Sequence, residues 1–462
     1  MHNSKFLILK TLFYIVLSLL ISCNPFLDVG APVSETDRET IFEDNQSATA
    51  AVIGIYSEMM STTSFANSAI SYNGALSADE INLLNQLAGQ NQFLNNNLLP
   101  TNNDILSSFW EPGFRLIWYA NSAVDGITSS SMLSEDVRNQ LLGELLFIRA
   151  FCHFYLTGFF GDIPYVTSSD YHKNAVINKI SQSQVYDHII QDLNDAKELL
   201  SEDYPSPNRT RPNKSVASTL LARVYLYTEQ WQKAIEESDE ILGSAGFILE
   251  PDLNNVFLYT SKETIWQLIP VFPGHNTEYG IFVTNGSNGA LKLRDELVTS
   301  FDNGDNRMNS WVSSRYNASS GITTYYPFKY KEASLNRPLT EYNIVFRLAE
   351  LYLIRAEARA MLGILTGVES AASDLAIIRE RAGLNPIISS NQTELLEAIT
   401  KERRVELFTE WGHRWFDLKR LGIANNVLSP IKHNWQSTDV LYPIPQIELD
   451  RNNNLLPQNE GY

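Results

Sequence analysis

SVASTLLARVYLYTEQWQKAIEESDEILG, residues 215–243, carries two helical patterns back to back. In SVASTLLARVYLYTEQ the apolar positions recur at three- and four-residue spacing, and WQKAIEESDEILG repeats the pattern after a short polar break. Small residues, Ala217, Ala222 and Ala234, allow two antiparallel helices to approach closely, while Tyr225 and Trp231 fill the groove between them. A pair of this size cannot bury its apolar face alone. It must stack on further pairs.

Further pairs are present on both sides. QVYDHIIQDLNDAKELL (184–200) precedes it, and YNIVFRLAELYLIRAEARAMLG (342–363) followed by SAASDLAIIRERAGL (370–384) repeats its character. The pattern resembles tetratricopeptide repeats, in which helical pairs build a superhelix. The predicted fold class is therefore mainly α: a tetratricopeptide-like superhelix, with repeats at about 183–242 and 342–385. Earlier helices are predicted at 47–60, with Ser47 as N-cap, and across FWEPGFRLIWYANSAVDGI and VRNQLLGELLFIRAFCHFYLTGFF, the last stopping at Gly161 and Pro164. Two stretches, 61–108 and 243–341, are rich in Asn, Gly, Ser or Tyr and lack periodicity. They read as large irregular insertions, the second with strand-like runs such as TIWQLIPVF, and irregular segments this long are usually functional.

At the N-terminus, Lys5 and Lys10 precede the apolar run TLFYIVLSLL, which has the length of a signal-peptide core and is too short to span a bilayer. LLISC (19–23) then resembles the lipobox of bacterial lipoproteins, which implies cleavage after residue 22 and attachment of acyl chains such as palmitate to Cys23. The alternatives are a plain secretory signal or a core cysteine. The predicted organisation is a signal peptide at 1–22, a lipidated tether at 23–40 and one body at 41–462. Cys152 is the other cysteine and is read as a small buried hydrophobe.

A formal net charge of −18 opposes contact with phosphate backbones, so nucleic acid is not expected as a partner. No nucleotide-loop, hydrolase-elbow or zinc-binding motif is present, and the histidines form no pair at metal-ligand spacing. Catalytic residues, metal and cofactor are therefore not predicted. Glu402, Glu406, Glu410 and Arg414, four apart on one helix face, offer the carboxylates of a glycosidase. With Arg403, Arg404 and Asp417 nearby they read more simply as an ion-pair network.

The ordered set of FLD (26–28), FIRAFCHFYLTGFFGDIPYV (147–166), FRLAELYLIRAEA (346–358), ERRVELFTEWGHRWFDLKRLG (402–422) and LYPIPQIELDRNNNLLPQNEGY at the C-terminus resembles the SusD/RagB family of Bacteroidetes outer-membrane lipoproteins. The resemblance covers nearly the whole chain. It implies a helical scaffold with irregular loops, a place on the outer membrane surface, and capture of oligosaccharide or polysaccharide, in some members peptide, for a SusC-like TonB-dependent transporter. It also implies a structural role for Asp305 and Arg307 in SFDNGDNR, and a ligand site built by loops from the two insertions. A lipid-anchored glycoside hydrolase and a ligand-free helical scaffold are the competing readings.

Sugar sites combine an aromatic platform with amide or carboxylate groups that fix the hydroxyls. SYNGALSADE (71–80), NQFLNNN (91–97) and the aromatic run from Trp311 to Tyr326 offer both. The candidate ligand-binding residues are Tyr72, Asn73, Asn95, Asn96, Trp311 and Tyr316. The alternative for each aromatic is that it pins a loop to the helical body.

Overall fold

The computed structural model describes residues 40–61, 65–84, 88–271, 276–332 and 338–462. Cys23 and the signal and tether segments up to residue 39 lie outside the described residues. Among the described residues, the helices of eight or more residues are α1 (Asn45–Met59), α2 (Ile70–Ser77), α3 (Ala88–Asn95), α4 (Glu111–Ser129), α5 (Glu135–Phe160), α6 (Gln182–Leu199), α7 (Lys214–Tyr227), α8 (Trp231–Leu242), α9 (Leu348–Met361), α10 (Ala371–Arg381), α11 (Gln392–Glu406) and α12 (His413–Arg420). Between them run β1 (Ile81–Leu83), β2 (Thr264–Leu268), β3 (Leu291–Leu293), β4 (Val312–Asn317), β5 (Ile322–Pro327) and β6 (Asn343–Arg347).

The deciding pair is α7 and α8. Asn213 caps α7 by accepting from the Val216 N–H at 3.3 Å, and Ala217, Ala222 and Ala234 are wholly buried where the two helices meet. Stacking then runs through consecutive neighbours: α4 on α5, α5 on α6, α6 on α7, α7 on α8. The insertion does not interrupt it, because α8 packs directly on α9, and α9 carries α10 and α11. The result is one mainly helical, tetratricopeptide-like stack.

Its axis is α5, whose residues 147–160 are buried on every face and which is therefore central. Long and apolar enough to cross a membrane, it has 89% of that window buried inside the protein. Phe147 and Phe151 hold Trp266 edge-on at 5.0 and 5.4 Å, and Cys152 is fully buried, its thiol pushed up by burial. The helix ends at Gly161, whose φ of +74° favours glycine.

Three predicted details change. Asp44, not Ser47, caps α1, since its carboxylate accepts from the Gln46 and Ser47 N–H groups at 2.8 and 2.9 Å. The stretch 61–108 is largely helical. Residues 343–347 form β6, paired antiparallel with β2, before helix α9 begins. Among the described residues the three sheets are each two-stranded and antiparallel, and β1 pairs with β3 in the register Ile81 to Leu293. That pairing joins the two irregular segments directly.

Glu402, Glu406, Glu410 and Arg414 do not share one helix face, because α11 ends at Glu406, Glu410 lies in the turn that follows and Arg414 stands on α12; all four lie in a buried ion-pair network. Arg307 meets Glu402 at 2.7 Å and Glu406 at 2.9 Å, Arg347 meets Glu410 at 2.8 Å, Arg403 meets Asp417 at 2.8 Å, and Arg414 meets Asp79 at 2.7 Å. Burial opposes ionisation of Glu406, yet Arg381, Arg347 and Arg307 hold its carboxyl well below the usual range. Asp305 grips Arg307 at 2.8 Å, so both residues anchor the insertion to α11.

Candidate functional site

Two of the six candidate residues, Tyr72 and Asn73, line a common cleft; the other four stand elsewhere. Trp311 is 0% exposed: its Nε1–H donates to Leu253 O at 2.9 Å, Phe257 packs edge-on at 5.6 Å, and Lys329, Arg347 and Arg381 approach the ring within 5.0 to 5.8 Å. An indole enclosed this way has no face for a sugar. It is a core residue beneath the ion network. Asn96 is likewise structural: at φ +51° it closes α3, and its buried Oδ1 accepts from Lys432 Nζ, which also donates to Leu76 O at 2.7 Å and Ser77 O at 2.6 Å. Asn95 is exposed and donates to Asn91 O at 2.9 Å, outside the cleft. Tyr316 is 66% exposed on the β4–β5 hairpin, opposite Thr323, and also lies outside it.

The cleft has a volume of about 260 Å³. Three turns converge on it: the kinked Phe65–Ala69 segment, whose backbone is non-helical at Asn67 and Ser68, supplies those two residues and Ala69, and of two π-helical turns Leu106–Trp110 supplies Ser108 and Tyr279–Thr284 supplies Ile281, with Thr277 just ahead. Such turns insert a residue into a helix and recur at functional sites, because the insertion frees and redirects polar groups. Ser68 stands at φ +67°, a conformation costly for a residue with a Cβ. Next to it Asn67 Nδ2–H donates to Ser61 O at 2.9 Å, while its Oδ1 is buried with no hydrogen-bond partner among the described residues.

Helices α2 and α3 and the turn that follows complete the walls. Tyr72 O–H donates to Gln90 Oε1 at 3.0 Å, and its ring lies 6.2 Å from Phe282. Burial, with the nearby Asp104 carboxylate, pushes the phenol up to about 12, so it remains a donor across the physiological range. Asp104 is half-buried at the rim and is the sole carboxylate among the described residues that line the cleft. The wall is held close from behind: a Cβ at Gly74 on α2 would lie 2.9 Å from Gly412 Cα, and the Trp411 N–H donates to Ser71 Oγ at 3.0 Å.

Asn67, Gln90, Asp104, Ser108 and Thr277 escaped sequence reading. A π insertion shifts the 3.6-residue period by one, which makes a helical stretch look aperiodic; that loss of period between polar segments was the available signal. Chemically the cleft presents hydroxyl, amide and carboxylate groups around one phenol, a set that orients a neutral polyhydroxyl ligand. Among the described residues no group of three His, Cys, Asp or Glu is placed to hold a metal ion.

Comparisons with known proteins agree with this architecture. Residues 25–226 match a family described as starch-binding associating with the outer membrane, and residues 260–462 match the SusD family. SusD-like protein P2 of Formosa agariphila is 31% identical over 98% of this chain and 99% of its own length. A SusD superfamily protein from Bacteroides vulgatus superimposes with a TM-score of 0.80 at 21% identity, covering 91% of this chain and all of that one. A laminarin-binding SusD-like protein superimposes with a TM-score of 0.73 at 25% identity, again over 91% of this chain and all of that one.

Proposed function

The chain belongs to the SusD family, and from that premise we propose that it is a glycan-binding lipoprotein of the outer-membrane surface, anchored through Cys23, that captures oligosaccharide in the Tyr72–Asp104 cleft and delivers it to a SusC-like TonB-dependent transporter. The observation that carries this reading is the convergence of two π-helical turns and the kinked Phe65–Ala69 segment on one cleft lined by phenol, amide and carboxylate groups. The laminarin-binding relative supports a glycan as ligand class. That Asp104 is the single carboxylate among the described residues at the cleft supports binding without cleavage, since glycoside hydrolysis by the usual route requires two.

Incubation of the purified protein with laminarin, starch and xylan tests the reading. Retarded electrophoretic migration on one of these without new reducing ends is the expected result. New reducing ends would establish a hydrolase instead, and migration unaffected by every glycan would favour a protein scaffold.

A further inference from the structure

WEPGFRLIW, residues 110–118, spaces three aromatic residues four apart, Trp110 at the end of the Leu106–Trp110 turn and Phe114 and Trp118 on the N-terminal half of α4. Trp110 is buried at the base, Phe114 packs on it at 4.8 Å, and Trp118 is 41% exposed at the outer end, so the stripe rises from core to solvent. Together with the 171–177 segment and the C-terminal 448–455 segment it walls a cleft of about 550 Å³, separate from the one above and within the roughly 300–1,000 Å³ range of small-ligand sites. Ser108 lines the first cleft and Trp110 the second. Two residues turn a helix by roughly half a revolution, so the clefts open on opposite faces of the same π-helical turn.

The aromatic groups are held in place rather than hanging free. Trp118 Nε1–H donates to Ser169 O at 3.0 Å, which leaves a ring face toward solvent, and Tyr171, 69% exposed, rests 3.8 Å from the His172 ring at the start of a turn capped by Asp170. Around them the rim is charged but balanced. Arg115 pairs with Glu58 at 3.0 Å behind the cleft and approaches Glu111 at 3.6 Å, and Glu448 and Arg451 pair at 2.7 Å, so the lining itself carries two carboxylates and two guanidinium groups that offer acceptors and donors. A purely apolar segment seated here would desolvate those pairs without replacing their hydrogen bonds. A pyranose matches both features, with C–H faces for the rings and hydroxyls for the rim.

We propose that this cleft is a second glycan-binding site, in which a neutral sugar ring stacks on Trp118 and Tyr171 while its hydroxyls bond to the Glu111–Arg115 and Glu448–Arg451 pairs. The proposal goes beyond the function assigned to the Tyr72–Asp104 cleft and fails separately from it. Two clefts on one chain would hold a polysaccharide more tightly than either alone, because the second contact is made at high effective concentration.

Calorimetric titration of the full chain in detergent with laminarihexaose, maltoheptaose and xylohexaose tests it. The expected result is two bound molecules of one oligosaccharide per chain. Trp118→Ala and Tyr171→Ala are each expected to weaken one of the two by about five- to thirty-fold, and Asp104→Ala to weaken the other. Because Tyr171 is largely exposed, an unchanged melting curve for Tyr171→Ala separates lost stacking from lost folding. A single bound molecule, insensitive to Trp118→Ala and Tyr171→Ala but weakened by Asp104→Ala, overturns this proposal and leaves the first cleft standing. Weakening by the aromatic changes alone supports this cleft and overturns the first. Wild-type capture of a solubilised protein that is lost in Trp118→Ala, with no sugar bound at this cleft, overturns it in favour of a protein partner, and no binding across the three oligosaccharides overturns both sites.

Discussion

An indole enclosed by Phe257 and three cations, as Trp311 is, acts through packing and cation–π attraction. Trp311→Ala is therefore expected to lower stability by about 3 to 5 kcal/mol, read as a fall in the denaturant midpoint. A midpoint left unchanged would contradict its place in the core. What the sequence showed of this residue was an aromatic beside Arg315 and Tyr316, the composition of a sugar platform. Its burial depends on Lys329, Arg347 and Arg381, which arrive from other parts of the chain, and no local pattern carries that information. Tyr72 and Asn73 were legible because an aromatic and an amide sit side by side in one short polar stretch. Asp104 and Thr277 join them only through the converging turns, and so were not.

At the scale of elements, the turns around the cleft rest on two buried carboxyl groups. Glu80 precedes β1 and accepts from the Thr409 N–H at 3.1 Å; Glu278 precedes the Tyr279–Thr284 turn and bonds to Ser71. Burial pushes each up to about 8, with Asp79 adding to the effect at Glu80 and Glu410 at Glu278. Between pH 4.5 and 8 the unfolded chain has released protons that the folded chain retains. Stability contributed by these groups is thus present below pH 4.5 and is lost as pH rises through 8. Glu80→Gln and Glu278→Gln, which keep the shape and remove the ionisation, are expected to raise the melting temperature more at pH 8 than at pH 5. An equal shift at both pH values would contradict the assignment. The same turns explain why 61–108 reads as irregular in sequence while α2 and α3 lie within it: regular period is lost at the Phe65–Ala69 kink and at the Leu106–Trp110 π insertion, and the helices between them are only eight residues long.

For the whole molecule, the superhelix was legible because each helical pair carries its own period and small-residue contacts. The continuity of α8 with α9 across a hundred-residue insertion was implied only by the need of each pair for a neighbour. Anchoring belongs to this scale as well. Cys23→Ser is expected to release the chain from outer-membrane fractions, because the apolar helix α5 is buried in the protein and cannot substitute as an anchor; full retention in the membrane fraction would contradict the lipid anchor. On this reading the Tyr72–Asp104 cleft holds the glycan. The most direct measurement of that binding is calorimetric titration of laminarihexaose, maltoheptaose and xylohexaose into the wild-type chain and into Asp104→Ala. A charged hydrogen-bond acceptor is worth about 1.5 to 3 kcal/mol, so the predicted result is binding of one of these sugars by the wild type and a loss of roughly ten- to a hundred-fold at one site in the variant, with the melting curve unchanged. Equal affinity in the two proteins, or no binding by the wild type, would contradict it.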